Sequence, residues 1–532
     1  MLLDSAVFRF SKDRGTRIIA WIGRHPTIIL SLPSLYLLLF YPILWKDIDA
    51  LGQLIWPVDS TNILHYPPLY CFSGRIPFWI GDLLEAAFLG KPLPVLNIFS
   101  EQRPGIVGLY TLIFTQHLAL VFALSIFLRS AAKTALGRGL VVLSLISASS
   151  LYVQEQCAGS ESFSVSAIIL MVAFGLRAFA EDGHRAWIAF ALATFLVVGT
   201  RHINIVLAIW LPLTLTGIMI WRGSRQRSFD RHELVRIIVS LLCAVVALLA
   251  NTLLTKSMIE RIGQEYHSTL GLTLSDRIEA FTNKLSAPEK EALVAKLLAA
   301  ERDPTVRLAI TSQAEKGSLH SGLAAAVIQD AVRQNSLAHG SLESATDRVI
   351  LQEALSYFKS MHPKLVRIIL ADWGHGYLRV DNSKLSLTRF LSTRTAARMS
   401  EENPQMWEAL NQLHVVDSSA ANRGVDRASR DLYLNLGGPI PMIVLVIANI
   451  ALGIILARHG RAECAWLALC LVATGSILYF VNCVCVYYND RYVLPLFVCN
   501  IAAWGIQLGR FIDDHGVPPI LTSTRTGTDT TL

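Results

Sequence analysis

The chain has 532 residues, of which 53% are hydrophobic and only 16% charged, and its mean hydropathy is +0.45. Water-soluble domains run near one quarter charged, so a disordered scaffold and a compact nucleic-acid reader are both excluded. The apolar residues come in runs of about 17 to 25, the length that crosses roughly 30 Å of hydrocarbon. A formal net charge of +7 would suggest nucleic acid in a soluble chain. Here the basic residues sit at one set of membrane boundaries, and no nucleic-acid partner is expected.

The first apolar run, 26–45, follows Arg9, Lys12, Arg14, Arg17 and Arg24, which keeps its leading end in the cytoplasm. Its length, and the lack of a small-residue cleavage site, describe a retained anchor rather than a secretory peptide. Hydropathy then gives about ten spans: 26–45, 106–128, 139–153, 161–180, 186–200, 203–221, 234–254, 439–457, 464–486 and 492–509, the third and fifth being short. Lys and Arg collect in alternate connections: Arg129, Lys133 and Arg138; Arg177 and Arg185; Arg222, Arg225, Arg227, Arg231 and Arg236; Arg458 and Arg461; and Arg510. The expectation is a multi-pass protein of the cell inner membrane, all-α and polytopic, with both termini cytoplasmic.

Two segments on the expected outer side are too long to be turns. Residues 46–105 are rich in Trp, Tyr, Phe and Pro, a composition that favours short interfacial helices in the headgroup layer. Residues 255–437 carry ordinary charge and helical signals. Ser286 with Glu289 makes an S-x-x-E capping box ahead of Leu293, Val294, Leu297 and Leu298. A further helix is expected over 343–359, where Val349, Ile350, Ala354, Leu355 and Phe358 form an apolar stripe before His362-Pro363.

The domain reading is thus a transmembrane part, 1–254, containing the first outer loop 46–105; a helical extracytoplasmic insertion, 255–437; a second transmembrane part, 438–512; and a disordered cytoplasmic tail, 513–532. The eight cysteines include no C-x-x-C pair. Cys71 and Cys157 fall on the expected outer side, where an oxidising compartment would permit a disulfide, the alternative being two unpaired thiols.

The first outer segment begins Trp45-Lys46-Asp47-Ile48-Asp49, passes Trp56-Pro57-Val58-Asp59 and reaches His65-Tyr66-Pro67-Pro68-Leu69-Tyr70. Three carboxylates and a histidine therefore cluster just beyond the first span. A carboxylate in so apolar a setting is costly to dehydrate and needs a partner or a task. The plainer reading is that all three are solvated loop acids.

A first span, an acidic residue shortly after it and then HYPPLY together resemble the integral-membrane glycosyltransferases of the GT-C class, particularly bacterial members related to the protein O-mannosyltransferases. Asp49 precedes Pro67-Pro68-Leu69-Tyr70 at about the spacing such enzymes show, and Tyr488-Asn489-Asp490-Arg491-Tyr492-Val493-Leu494-Pro495 is similar to the RY-x-LP start of one of their late spans. The resemblance covers the span-bearing body and not 255–437. It implies a GT-C-like fold and ranks Asp49, then Asp47, then Asp59 as catalytic base, since the commoner adjacent acidic pair is here split by Ile48.

The donor so implied is a sugar on a polyprenyl phosphate, and the acceptor a cell-envelope glycan, lipid or protein. A lipid phosphate leaves readily and needs cationic stabilisation more than a general acid, whereas a weakly nucleophilic hydroxyl needs a carboxylate base. Arg201-His202 between spans, Arg491 ahead of the last span, and Arg75 and His65 in the first outer segment are the candidate cations, with Tyr70 beside them in the motif; Arg suits phosphate through its planar fork. Each has a plainer alternative: headgroup contact for Arg201, an ion pair with Asp490 for Arg491, and packing beside the prolines for His65.

Glu155 and Glu161 bracket a short outer turn and would either bind acceptor hydroxyls, orient an Arg, or remain solvated at the span ends. His117 beside Gln116 reads as a polar tie between helices. No metal cluster, Gly-rich phosphate loop or nucleophile elbow stands out, so no cofactor is expected and a divalent-metal requirement stays open. The competing function is a transporter or flippase for a lipid-linked or amphiphilic solute, which would place ionisable groups within its spans.

Overall fold

A computed structural model of the chain describes residues 15–40, 44–45, 53–55, 57–58, 68–90, 92–102, 105–181, 183–226, 230–316, 321–334, 341–360, 362–378, 442–486 and 490–515. Asp47, Asp49, Asp59 and His65 lie outside these residues, as does the tail from 516 onward.

Helical residues 15–24 bend at His25 into α1 (Pro26–Phe40), and β1 (Leu44–Trp45) follows. Then come α2 (Pro68–Leu89), α3 (Ile106–Ala131), α4 (Ala135–Ser147), α5 (Ser149–Glu155), β2 (Cys157–Ala158), α6 (Ser160–Ala180) and α7 (His184–Thr200). A 3-10 stretch, His202–Ile209, leads into α8 (Trp210–Gln226) and the long α9 (Arg231–Arg261). The insertion supplies α10 (Leu270–Thr282), α11 (Ala287–Ala300), α12 (Pro304–Lys316), α13 (Ser321–Gln334), α14 (Leu342–Lys359) and α15 (Pro363–Leu378). The chain returns through α16 (Met442–Arg458), α17 (Ala462–Cys485), a 3-10 turn at Asp490–Val493 and α18 (Leu494–His515).

The fold is all-α and polytopic. Among the described residues six helices are long and apolar enough to cross a membrane, or seven if α4 and α5, bent by 60° at their junction, make one span. The expected ten is therefore not confirmed. Three of the expected spans correspond to the shorter apolar helices Pro26–Leu39, His184–Thr200 and Met442–Arg458, and a helix of 17 residues is only about 25 Å long at 1.5 Å per residue, short of the hydrocarbon thickness. α9 also runs to Arg261, beyond the expected end at 254. Its Leu241, Leu242, Val245, Val246, Leu249 and Leu253 are exposed, a surface that suits lipid rather than water.

The end of the bundle away from the insertion is tied by charge. Arg222 of α8 donates to Glu233 of α9 at 2.6 Å and, through Nε, to Glu463 of α17 at 2.9 Å. Asp513 of α18 accepts from the Lys133 and Thr134 backbone N–H groups at 2.6 and 2.8 Å, serving donors that the start of α4 leaves without partners.

The insertion follows the rules of a water-soluble helical domain. Both the backbone N–H and the hydroxyl of Ser286 donate to Glu289 Oε2, at 2.9 and 2.7 Å, at the start of α11. α14 begins at Ser341, whose hydroxyl accepts from Ser344 N–H at 3.2 Å, and α15 starts directly on Pro363, where a missing N–H costs nothing. The start of α10 is served from another helix: Asp347 of α14 accepts from Leu272 N–H at 3.0 Å. Phe281, Leu293, Leu297, Ile310, Ile328, Ile350 and Tyr357 build its core, which continues into Tyr479, Cys483 and Leu496 of the membrane body.

Candidate functional site

The site grows from the bend between α4 and α5. α5 is buried along its whole length, so the carbonyls at its end cannot reach water and need protein donors. Gln116 of α3 supplies them: its Nε2 donates to the carbonyls of Glu155 at 2.8 Å and Cys157 at 3.0 Å. Beside it His117 joins Ser34 Oγ of α1 at 3.1 Å through Nδ1 and Gln156 Oε1 at 2.9 Å through Nε2. His117 and Gln116 are thus the polar tie that their sequence suggests, and they fix the turn after α5.

That turn carries β2, which pairs in parallel with β1: Leu44 lies opposite Cys157 and Trp45 opposite Ala158. Leu44–Trp45 therefore lies directly alongside the Glu155–Glu161 turn.

Both acids of the turn are buried rather than solvated, Glu155 at 0% and Glu161 at 4% exposure. Glu161, in the first turn of α6, faces Arg201 Nη1 at 3.1 Å. Arg201 ends α7 in extended backbone, and Asn204 secures the turn that follows, its backbone N–H donating to the Arg201 carbonyl at 3.0 Å and its side-chain amide to Ser164 Oγ at 2.8 Å and the Val197 carbonyl at 3.1 Å. The Arg201 guanidinium lies 5.6 Å from the centre of the Tyr492 ring, a cation–π contact strengthened where water is excluded. His202, next to it, is exposed.

Glu155 differs from Glu161. Ser166 stands beside its carboxyl, yet among the described residues neither Glu155 oxygen makes a hydrogen bond of good geometry. A buried carboxyl in that condition needs an occupant to satisfy it.

Tyr70 of α2 belongs to the same cluster. It is fully buried, and its hydroxyl donates to Gln116 Oε1 at 3.4 Å. Burial, with Glu161 and Glu155 nearby, pushes its phenol well above the ordinary range, so it acts as a neutral donor. α2 comes this close because residue 199 is glycine: a Cβ there would stand 2.1 Å from Leu69 Cδ1. The opposite face of α2 exposes Ile76, Ile80, Leu84 and Phe88, a one-turn-spaced stripe that matches a helix in the headgroup layer.

Arg75 takes another position. Its Nε donates to the Gln53 carbonyl at 3.1 Å and its Nη1 to the carbonyls of Ile98 and Ser100 at 2.6 and 3.1 Å, stapling the two flanks of the first outer segment. Arg491 lies in the Asp490–Val493 turn, and its side chain is outside the described set. Cys71 and Cys157 are both buried thiols, Cys157 Sγ donating to the Val153 carbonyl at 3.4 Å, so the permitted disulfide is not formed. Among the described residues no group of three or more His, Cys, Asp or Glu side chains is placed to hold a metal ion.

The structure thus brings together Tyr70, Glu155, Glu161 and Arg201, and adds Tyr492 and Asn204, which residue-by-residue reading passed over. Tyr492 stood inside the RY-x-LP stretch, where its neighbour Arg491 drew the attention. Asn204 is a polar residue in an apolar span, a signal that was present in the sequence.

No family model matches the chain, and no curated protein matches it. Among solved structures it is similar to ArnT from Cupriavidus metallidurans in the apo state, at 12% identity and a TM-score of 0.30 over 92% of this chain and 78% of that one. It is likewise similar to ArnT from the same organism bound to undecaprenyl phosphate, at 13% identity and a TM-score of 0.29 over 92% and 77% of the two chains. At this level of similarity neither structure assigns residues to this chain.

Proposed function

We propose that the chain is a GT-C-like glycosyltransferase that moves a sugar from a polyprenyl phosphate to a glycan, lipid or protein of the cell envelope, on the outer face of the inner membrane. The observation that carries this reading is the Glu161–Arg201–Tyr492 cluster, built on the buried Glu161 and lying near the turn whose β2 pairs with β1, after which the acidic segment begins. Asp47 and Asp49 follow Trp45 by two and four residues. The short separation in sequence is what supports assigning the loop carboxylates to this site.

In the proposed reaction Asp49 accepts the proton of the acceptor hydroxyl as that oxygen attacks the anomeric carbon. The carbon–oxygen bond to phosphate breaks with its electron pair leaving on the lipid phosphate, and the sugar is inverted. Arg201 meets the phosphate charge as it develops, with Arg491 as its second cation; Glu161 and Tyr492 hold the Arg201 fork in one orientation, which is where preorganised charge contributes most. Glu155, with Ser166 beside it and no hydrogen bond of good geometry among the described residues, is suited to receive acceptor hydroxyls.

A broken span beside a buried acid is also a transporter feature, so the bend at α4 and α5 gives the flippase reading a specific basis. The test incubates purified protein in lipid nanodiscs with a polyprenyl-phosphate sugar labelled in the sugar, plus an envelope extract. Label in a new glycosidic product supports the transferase. Movement of intact donor across proteoliposome bilayers, with no bond broken, establishes the transporter instead.

A further inference from the structure

The insertion grips the membrane body through one buried charge. Arg277 of α10 is fully buried. Its Nη1 donates to Asp372 Oδ2 of α15 at 2.7 Å, and its Nη2 donates to the backbone carbonyl of Cys483 in the last turn of α17. That carbonyl is among those a helix end leaves without an intrahelical partner, and a cation suits the negative end of the helix dipole. Tyr479, one turn earlier, closes the arrangement by donating its hydroxyl to the Asp372 carbonyl at 2.7 Å. α15 lies so close that a Cβ on Gly376 would stand 2.4 Å from Tyr479 Cε1.

The chain leaving this fixed helix end leads to the Asp490–Val493 turn. Tyr492 and Val493 there pack against the core that the insertion shares with Tyr479, Cys483 and Leu496 of the membrane body, while the Tyr492 ring carries the Arg201 guanidinium. The insertion is thus linked to Tyr492 through the end of α17 and the start of α18, and Tyr492 in turn to Arg201 and Glu161. A buried ion pair is a poor device for stability alone, since apolar residues of similar size often serve as well; its use is to fix a geometry.

We propose that Arg277 is a positioning residue: by clamping the end of α17 to the insertion it holds Tyr492 against Arg201, so that the insertion sets the orientation of the phosphate-facing cation. This rests on the role given to Arg201 above.

The test uses the full chain in nanodiscs, with Arg277→Met, Arg277→Lys and Gly376→Ala, and reads hydroxyl-radical oxidation of Tyr492 against Tyr357, which is buried in the insertion core. Arg277→Met and Gly376→Ala are expected to raise Tyr492 oxidation severalfold and leave Tyr357 unchanged, with Lys restoring part of the protection. In transfer assays Arg277→Met raises the donor KM about tenfold, the loss of one charge-assisted contact, with kcat changing less. Unchanged Tyr492 oxidation overturns the proposal, as does a parallel rise at Tyr357, which would mean general loosening, or an unchanged KM in an active enzyme. Absence of any transfer by wild type would sink the transferase reading instead, and the footprint would still decide whether Arg277 places Tyr492.

Discussion

The membrane body and the insertion differ in how they treat the acids at the Glu155–Glu161 turn and those at the helix ends. In the insertion the half-buried Glu289 takes Lys364 and Ser286, Glu301 takes Ser356, and the buried Asp347 serves Leu272 N–H. In the body, Glu155 is wholly buried with neither oxygen satisfied among the described residues, and Glu161 holds an arginine at the end of a span. Removing a carboxylate from water costs several kcal/mol unless it is paired. The insertion's helix-end acids avoid that cost through their partners, while Glu155 in the body bears it. That difference is why the proposed reaction is assigned to the turn rather than to the larger insertion.

The contrast is broken most severely by changing the proposed base. Asp49→Asn is expected to lower transfer by about a hundred- to ten-thousandfold, the usual loss of a general base, while Asp47→Asn and Asp59→Asn at equal membrane abundance retain most of it. Rates for labelled sugar transfer decide the ranking, and full activity in all three removes the loop carboxylates from the mechanism. Next in size, Arg201→Ala should cost about ten- to a hundredfold in kcat/KM and Arg201→Lys less. Arg461→Ala, at an exposed pair with Asp514, should change little.

Much of this was legible in the residues. Apolar runs located the membrane helices to within a few positions, and the S-x-x-E signal at Ser286 located the start of α11. The spacing of Glu155 and Glu161 around a turn, with Arg201 ending a later span, already offered an acid to orient an arginine. What could not be read were relations set by packing across long stretches of chain. Nothing in Ser147-Ala148-Ser149 announces a 60° bend, since neither proline nor glycine stands there. Arg75 reads as a free cation until the tertiary fold brings three carbonyls to it, and Tyr492 gains its role only when α7 ends beneath it. The three short apolar helices were counted as spans because hydropathy measures composition before it measures length.

Within the insertion, one acid departs from the domain's own rule and sharpens the comparison. Glu353 is buried with Gln313 as its hydrogen-bond donor at 3.1 Å, and burial pushes its carboxyl up to about 8. A folded-state value above the unfolded one means that the native state holds the extra proton, so this contribution to stability is fully present below the ordinary glutamate range and is lost as pH rises toward about 8. Glu353→Gln should abolish that loss and stabilise the insertion by a few kcal/mol at the upper end of the window, read as slower hydrogen exchange in α14 after correction for intrinsic rates. Unchanged pH dependence would remove Glu353 as its source. Glu289 has the opposite sign: the hydrogen bond from Lys364, then those from Ser286, holds it down to about 2, so its contribution is present above the ordinary range and fails only in strong acid. The smallest effect belongs to Ser286→Ala, expected to cost about 1 kcal/mol through loss of the helix cap and to leave transfer unchanged.

The most direct measurement is equilibrium binding of undecaprenyl phosphate to the purified protein in nanodiscs, comparing wild type, Arg201→Ala, Glu161→Gln and Arg461→Ala. If the cluster at the end of α7 receives the lipid phosphate, Arg201→Ala weakens binding about tenfold or more, Glu161→Gln weakens it less, and Arg461→Ala binds like wild type. Equal affinity in all four would place the phosphate elsewhere and contradict the account.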